Sequence, residues 1–219
     1  MSLFLGPIHH WLYNKIKLFG DLENNIIEAI NATNEKKIDN YVHLINQKFG
    51  YPLEERPLEE LIDPSNIHGW LHSRIGEAES RQAALITYIL REYEDGMDVI
   101  KKVYTAQAER CALSVDNSSI ASPEQINKII NDFVLDGMPC DNVKSITINT
   151  DELLQWKVSN CLHKDYWDKV GGDISIFYDL RSLWISTFID TLNCGYYFEF
   201  HKETVDNATL LTSEIKKAH

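Results

Sequence analysis

The sequence has few of the features that mark exported or membrane-spanning proteins. Its 219 residues include four cysteines, far apart, so we expect reduced thiols and no disulfide framework. No apolar run approaches the ~20 residues that a helix needs to cross a bilayer. Histidines and lysines also interrupt the apolar stretches near the N-terminus, unlike the core of a signal peptide. The sequence therefore predicts a soluble, cytoplasmic protein with no membrane partner.

Basic residues are scarce as well. Lys and Arg together number 21 against 33 Asp and Glu, which gives a formal net charge of −12 at pH 7. Such a surface repels phosphate backbones and anionic membranes, and the basic residues form no block longer than a pair. The sequence therefore predicts no nucleic-acid partner. Hydrophobic residues make up 44% and charged residues 25%, which is typical of a globular protein and excludes wholesale disorder.

Apolar residues recur at helical spacing through the first half of the chain. We expect helices over 22–32, 38–49, about 67–94 and about 97–113, with a strong start signal at Asp63-Pro64-Ser65-Asn66 before the third of them. The first half is therefore predicted to be a helical bundle, covering residues 1–136.

The composition shifts after residue 137. Clusters of β-forming residues flank a turn at 149–152 and predict an antiparallel hairpin. Two helices, 164–170 and 174–192, and an edge strand over 196–201 should follow. We predict a mainly α protein in which residues 137–203 form a smaller α+β portion and residues 204–219 a polar C-terminal tail.

A nine-residue motif, Ile-His-x-Trp-Leu-x-x-[Lys/Arg]-Ile, occurs twice. It covers Ile8 to Ile16 and Ile67 to Ile75, an offset of 59 residues (8 to 67). Apolar residues further along still agree at this offset, namely Ile27 with Ile86 and Ile30 with Ile89. We interpret the repeat as two helical hairpins, 8–49 and 67–113, related by approximate two-fold symmetry in a four-helix bundle.

The motif carries candidate metal ligands. At ~100° per residue, His68, His72 and Glu79 fall on one narrow helix face, and His9 is the counterpart of His68 in the first copy. Bundle cores often hold metals with inward His and carboxylate side chains. We therefore predict a site for a transition metal ion, iron or zinc, which could serve a redox or hydrolytic metalloenzyme. The alternative interpretation is that these histidines cap helices. It is favoured by the absence from the sequence of the paired Glu-x-x-His motifs that di-iron bundles use.

A second group of chemically capable residues lies in the α+β portion: Cys140, Cys161, His163 and His201. They could bind zinc, or a thiol and an imidazole could form a nucleophile and base pair. Their spacing is not diagnostic, and buried inert cysteine is the other interpretation.

An aromatic cluster in the same portion surrounds a helix that carries Arg181 and Trp184. Arg181 could anchor an anion within an aromatic pocket, with Trp184 beside it. The alternative function is therefore a non-catalytic sensor that binds a small-molecule ligand between the bundle and the α+β portion. A structural module that forms a homodimer through an exposed apolar face is a third hypothesis.

Overall fold

The computed structural model describes residues 5–118, 120–141, 143–158, 160–205 and 208–218. These residues are mostly helical, and a small antiparallel sheet lies at the C-terminal end. The helices are α1 (Pro7–Thr33), α2 (Asp39–Phe49), α3 (Leu58–Leu61), α4 (Ile67–Glu92), α5 (Gly96–Leu113), α6 (Pro123–Phe133), α7 (Lys164–Lys169) and α8 (Ile174–Leu192). The strands are β1 (Lys144–Asn149), β2 (Leu153–Val158), β3 (Tyr196–Val205) and β4 (Ala208–Lys217).

Local capping groups explain where several helices begin and end. The Asn66 side chain accepts a hydrogen bond from the Gly69 N–H at 3.0 Å and so caps the first turn of α4. Ser122 does the same for α6, accepting from the Gln125 N–H at 3.3 Å. Gly50 ends α2 with φ near 90°, a conformation that favours glycine.

The chain forms two compact units, and each consists of several segments. Unit 1 comprises Met1–Val103, Phe133–Met138 and His163–Ile174. Unit 2 comprises Tyr104–Asp132, Pro139–Leu162 and Ser175–His219. The predicted boundary near residue 137 therefore falls inside the second segment of unit 1.

Helix α4 is the centre of unit 1. Helices α1, α2 and α7 all pack against it. The core that α1 and α4 build includes Leu12, Ile16, Leu71 and Ile75, each less than 5% exposed. Burying one such side chain stabilises a fold by about 1.5–3 kcal/mol. The predicted apolar stripes of these two helices thus form the core of the unit.

Unit 2 contains the sheet, whose strand order is β1-β2-β4-β3 with every neighbouring pair antiparallel. Strand β4 therefore lies inside the sheet, hydrogen-bonded to β2 and β3, in the segment 204–219 that was predicted to be a polar tail. The prediction of a tail was wrong, because Leu211, Ser213 and Ile215 are buried on one face of β4. The serine interrupts the apolar alternation that indicates a strand. Among the described helices, none has the length and apolarity that a membrane span requires.

Candidate binding groove and charge clusters

The two copies of the repeated motif meet at their histidines. The rings of His9 and His68 lie 5.7 Å apart between centroids. His9 also accepts a hydrogen bond at Nδ1 from the Gly6 N–H, at 3.1 Å, and so closes the first turn of α1. One of its nitrogens is therefore used in capping, as the alternative interpretation of these histidines expects.

The other two predicted metal ligands lie elsewhere on α4. His72 is exposed, whereas Glu79 is only 2% exposed and contacts His163. Eleven residues separate His68 from Glu79, which at 1.5 Å per residue is roughly 16 Å along the helix axis. Residues on one helix face point in the same direction, but they can still lie far apart along the helix axis. The metal site at His9, His68, His72 and Glu79 stays a prediction.

The Trp and the basic residue of the motif contact each other in both copies. Lys15 Nζ lies 3.8 Å above the ring of Trp11, and the Arg74 guanidinium lies 5.7 Å from the ring of Trp70. Both pairs are four residues apart on one helix face. Cation–π contacts of this kind contribute about 0.5–2 kcal/mol, and the contribution is larger when the contact is buried. Lys15 is only 3% exposed. The motif therefore has a structural role at these positions.

A buried ion pair joins α1 to α4. Arg81 Nε donates to both carboxylate oxygens of Glu23, each at 3.1 Å, and the two side chains are 4% and 2% exposed. Arg81 Nη1 also donates to the carbonyl oxygens of Gly50 and Tyr51 at 3.3 Å, which fixes the chain after α2. Burial raises the pKa of Glu23 above its ordinary value, and Arg81 opposes the shift without cancelling it. The pair thus holds three parts of unit 1 together.

The second buried charge cluster is centred on His163. Its Nδ1 lies 3.0 Å from Glu79 Oε1, and its Nε2 lies 3.0 Å from Asp136 Oδ1. Burial lowers the pKa of His163, but the two carboxylates outweigh burial and raise the pKa to about 9. The ring is therefore an imidazolium at neutral pH, and both nitrogens donate hydrogen bonds.

The three members of this His163 cluster come from the three segments of unit 1. Glu79 belongs to the first, Asp136 to the second and His163 to the third. An imidazolium whose two nitrogens both donate has no lone pair for a metal or a substrate proton. The cluster therefore stabilises the unit. The sequence analysis had placed Glu79 and His163 in two different candidate sites, and no signal in the sequence paired them.

A groove opens at the surface of unit 1 where α2, α4 and the end of α7 come together. Its volume is about 280 Å³. It is lined by Tyr41, Leu44, Ile45, Lys48, Phe49, Ala84, Lys169 and Val170. Ile45 and Ala84 are buried, at 4% and 2% exposure, whereas Leu44 is 58% exposed. The groove thus combines buried apolar residues with an exposed leucine.

Two lysines line this groove, one on α2 and one on α7. Among the described residues, neither Lys48 nor Lys169 forms an ion pair with a carboxylate; their ammonium groups lie 4.9 Å from the Phe49 ring and 5.5 Å from the Tyr166 ring. Other lysines of this acidic chain are paired, as Lys36 is with Glu92 at 2.5 Å. The positive charge at the groove is thus not neutralised by a protein carboxylate.

The turn after α7 contacts α4 next to the groove. Arg91 Nη2 donates to the Gly171 carbonyl oxygen at 2.7 Å. A Cβ added at Gly172 would lie 2.4 Å from Thr87 Oγ1 and 2.9 Å from the ring of Trp167, which is itself 1% exposed. The turn after α7 therefore packs closely against α4 beside the groove.

In unit 2, the predicted cofactor residues belong to α8. Trp184 is 5% exposed, donates through Nε1 to Gln107 Oε1 at 3.2 Å and stacks on Phe188 with ring centroids 5.1 Å apart. The Arg181 guanidinium lies 4.8 Å from the ring of Phe177, one helical turn earlier. Trp184 is therefore a core residue whose N–H already has an acceptor, and a cofactor role for either residue stays a prediction.

The cysteines of unit 2 are not gathered at one metal-binding position. Cys140 is exposed, and Cys161 accepts a hydrogen bond from the Tyr178 hydroxyl at 2.8 Å. Over the described part of the chain, the only three His, Cys, Asp or Glu residues whose ligand atoms lie within 4.8 Å of one another are Glu199, His201 and Glu214. The sequence did not predict this group, because β4 carries one of its residues and lies in the segment that was predicted to be a tail.

A lysine already occupies the middle of that group. Lys216 Nζ lies 2.6 Å from Glu199 Oε2 and 2.6 Å from Glu214 Oε2, and His201 Nε2 is 3.4 Å from each of the two carboxylates. These side chains alternate along β3 and β4 and share one sheet face. Because one ammonium group pairs with both carboxylates, the arrangement is an ion-pair network across the two strands.

No protein-family model, curated protein or solved structure matches this chain.

Proposed function

We propose that this protein binds a small molecule without transforming it, and that the groove between α2, α4 and α7 is the binding site. The observation that carries the proposal is an apolar groove lined by two lysines, neither of which pairs with a carboxylate among the residues that the structure describes. Ligand sites are typically concave and mostly apolar, with a few polar groups that orient the ligand.

The size of the groove limits the ligand. A volume of about 280 Å³ accommodates on the order of 10 non-hydrogen atoms, at roughly 30 Å³ each, the volume of a liquid water. The affinity is limited by the ligand efficiency, which lies between about 0.3 and 1.5 kcal/mol per non-hydrogen atom. At about 0.5 kcal/mol per atom, the binding free energy is about 5 kcal/mol, a Kd on the order of 0.2 mM. We therefore expect weak, fast-exchanging binding.

Amide NMR of the full chain tests this proposal. Titration with octanoate or 1-octanol, which have about the right number of atoms, should shift the resonances of groove residues before any others. Leu44→Asp should weaken that binding at least fivefold, because Leu44 is 58% exposed and its loss removes apolar contact without opening the core. Leu113→Asp is the matched control, since Leu113 is 78% exposed and lies outside the groove. Shifts spread evenly over the surface would refute the site.

The second candidate function is transition-metal binding, with iron or zinc at the paired histidines of the motif. The specific observation in its favour is the contact between the His9 and His68 rings, 5.7 Å apart. Elemental analysis of the purified protein should then find bound metal that is lost in His9→Ala and His68→Ala. Metal retained at full occupancy in both variants would exclude this site.

We further propose that the helix pairs α1–α2 and α4–α5 arose by duplication of one hairpin. At the 59-residue offset, the start of α1 at residue 7 corresponds to 66, and α4 begins at 67. The start of α2 at 39 corresponds to 98, and α5 begins at 96. In an experimental structure, residues 7–49 should superpose on residues 66–108 with the two copies of the motif in register. The proposal is contradicted if α2 and α5 lie on opposite sides of the helices that precede them.

A further inference from the structure

We propose that the ligand of the groove is a short amphipathic organic acid, held by its anionic head between Lys48 and Lys169 with its hydrocarbon tail on the apolar lining. This inference rests on the proposed function, because it uses the same groove and adds the chemistry of the ligand. It follows from three features of unit 1: the charge beside the groove, the apolar lining and the size.

The charge beside the groove has the opposite sign to the charge of the whole chain. The protein carries a net charge of −12, yet this one groove is lined by two lysines that pair with no carboxylate in the described part of the chain. A cationic ligand would be repelled by both ammonium groups, and a neutral ligand would form no ion pair with them. An anionic head can form charge-assisted hydrogen bonds with them.

A third positive charge lies close by. Burial raises the pKa of Tyr41, which lines the groove, and the positive charge of Arg91 opposes that increase. Arg91 is held in place by its hydrogen bond to Gly171, at the turn that forms the groove wall. Arg91 thus adds a positive charge on α4 to those of Lys48 on α2 and Lys169 on α7.

The lining requires a hydrocarbon tail as well as a charged head. Leu44 is exposed and lies with Ile45 and Phe49 on α2, and Val170 lines the groove after α7. A tail placed here would cover apolar surface that water now contacts. Each buried methylene contributes about 0.8 kcal/mol at full burial, so affinity should rise up to fourfold per methylene. The rise should stop near ten non-hydrogen atoms, because a longer tail extends beyond the groove.

Isothermal titration calorimetry of the full chain tests the head and the tail separately. The probes are octanoate, 1-octanol and octylammonium, which share a tail, and acetate, which has the head alone. We expect octanoate to bind with a Kd on the order of 0.2 mM, 1-octanol to bind several-fold more weakly, and octylammonium and acetate to show no measurable binding. Added salt should weaken octanoate binding and leave 1-octanol binding unchanged.

Substitutions assign the effect to the two lysines. Lys48→Met and Lys169→Met should each weaken octanoate binding about two- to fivefold, the range of an exposed ion pair. Neither should change the affinity for 1-octanol. Lys101→Met is the matched control, because Lys101 is an exposed lysine of α5 that does not line the groove. It removes the same charge and should leave both affinities unchanged.

The outcomes separate this inference from the proposed function. If 1-octanol and octanoate bind equally well and the two lysine variants do not differ from the control, the groove is a neutral apolar site and the anionic head is refuted. If acetate binds as tightly as octanoate, the tail is refuted. If none of the four probes binds, the proposed function fails together with the inference.

Discussion

Replacing the buried His163 with Ala should lower the stability of unit 1 more than replacing an exposed histidine lowers stability. The substitution removes an imidazolium that lies between two carboxylates at 3.0 Å each. It leaves Glu79, which is 2% exposed, as a buried charge without its partner. Breaking a buried charge pair in this way typically costs about 3–5 kcal/mol. For a chain of this size, where 1 kcal/mol lowers Tm by about 2–4 °C, we expect a loss of roughly 6–20 °C.

The pH dependence should identify the cause. The pKa of His163 rises from 6.5 in the unfolded chain to about 9 in the folded protein. A raised pKa means that the folded state holds the proton more tightly, so the stabilisation is fully present below pH 6.5 and is lost as the pH rises through 9. At about 1.4 kcal/mol per pKa unit, the amount lost is on the order of 3 kcal/mol. The free-energy difference between the wild type and His163→Ala should therefore shrink between pH 6.5 and 9.

Urea unfolding, followed by tryptophan fluorescence at pH 6.5 and pH 9, measures both effects. His201→Ala is the matched control, because His201 also lies between two carboxylates, at 3.4 Å, but is 48% exposed. It should change the stability by no more than about 0.5 kcal/mol. The reasoning is refuted if His163→Ala costs less than 1 kcal/mol at pH 6.5, or if its cost is the same at both pH values.

Three further substitutions test the packing of α1 against α4 and of the turn beside the groove. Arg81→Met should cost about 3–5 kcal/mol in urea unfolding, because it leaves the buried Glu23 carboxylate unpaired. A cost below 1 kcal/mol would show that water reaches that carboxylate. Gly172→Ala should lower the stability by about 1–3 kcal/mol, since its Cβ would lie 2.4 Å from a threonine hydroxyl of α4. Gly20→Ala, in α1 with no atom within 4 Å of the new methyl group, should instead raise the stability by up to about 1 kcal/mol, and a loss there would contradict the packing described.

The helices were largely predictable because their signals are local. The periodic apolar residues and the glycine at the end predicted α8 over 174–192, and the structure has the same bounds. The cap signal before α4 is confirmed by the hydrogen bond from the Gly69 N–H to Asn66. A helix forms its backbone hydrogen bonds within itself, so nearby residues decide most of where it starts and ends.

The candidate sites were less predictable. Helical periodicity gives the direction of a side chain, and this put His68 and Glu79 on one face, yet the rise along the axis keeps them about 16 Å apart. The groove depends on the packing of α2 and α7 against α4, which no local pattern encodes. Lys48 and Lys169 are far apart in the sequence, so no local pattern indicated that both line one groove.

The sequence by itself determined the helical character of this chain and the bounds of α8, although the helix predicted over 22–32 extends over Pro7–Thr33. Both of these features depend on residues within a few positions of one another. Only the tertiary structure decided that β4 lies inside the sheet and that His163 binds a carboxylate 84 residues away. A strand needs neighbours to complete its hydrogen bonds, and a buried charge needs a partner wherever the chain supplies one. Both requirements are met by residues that are distant in sequence, so they appear only once the chain has folded.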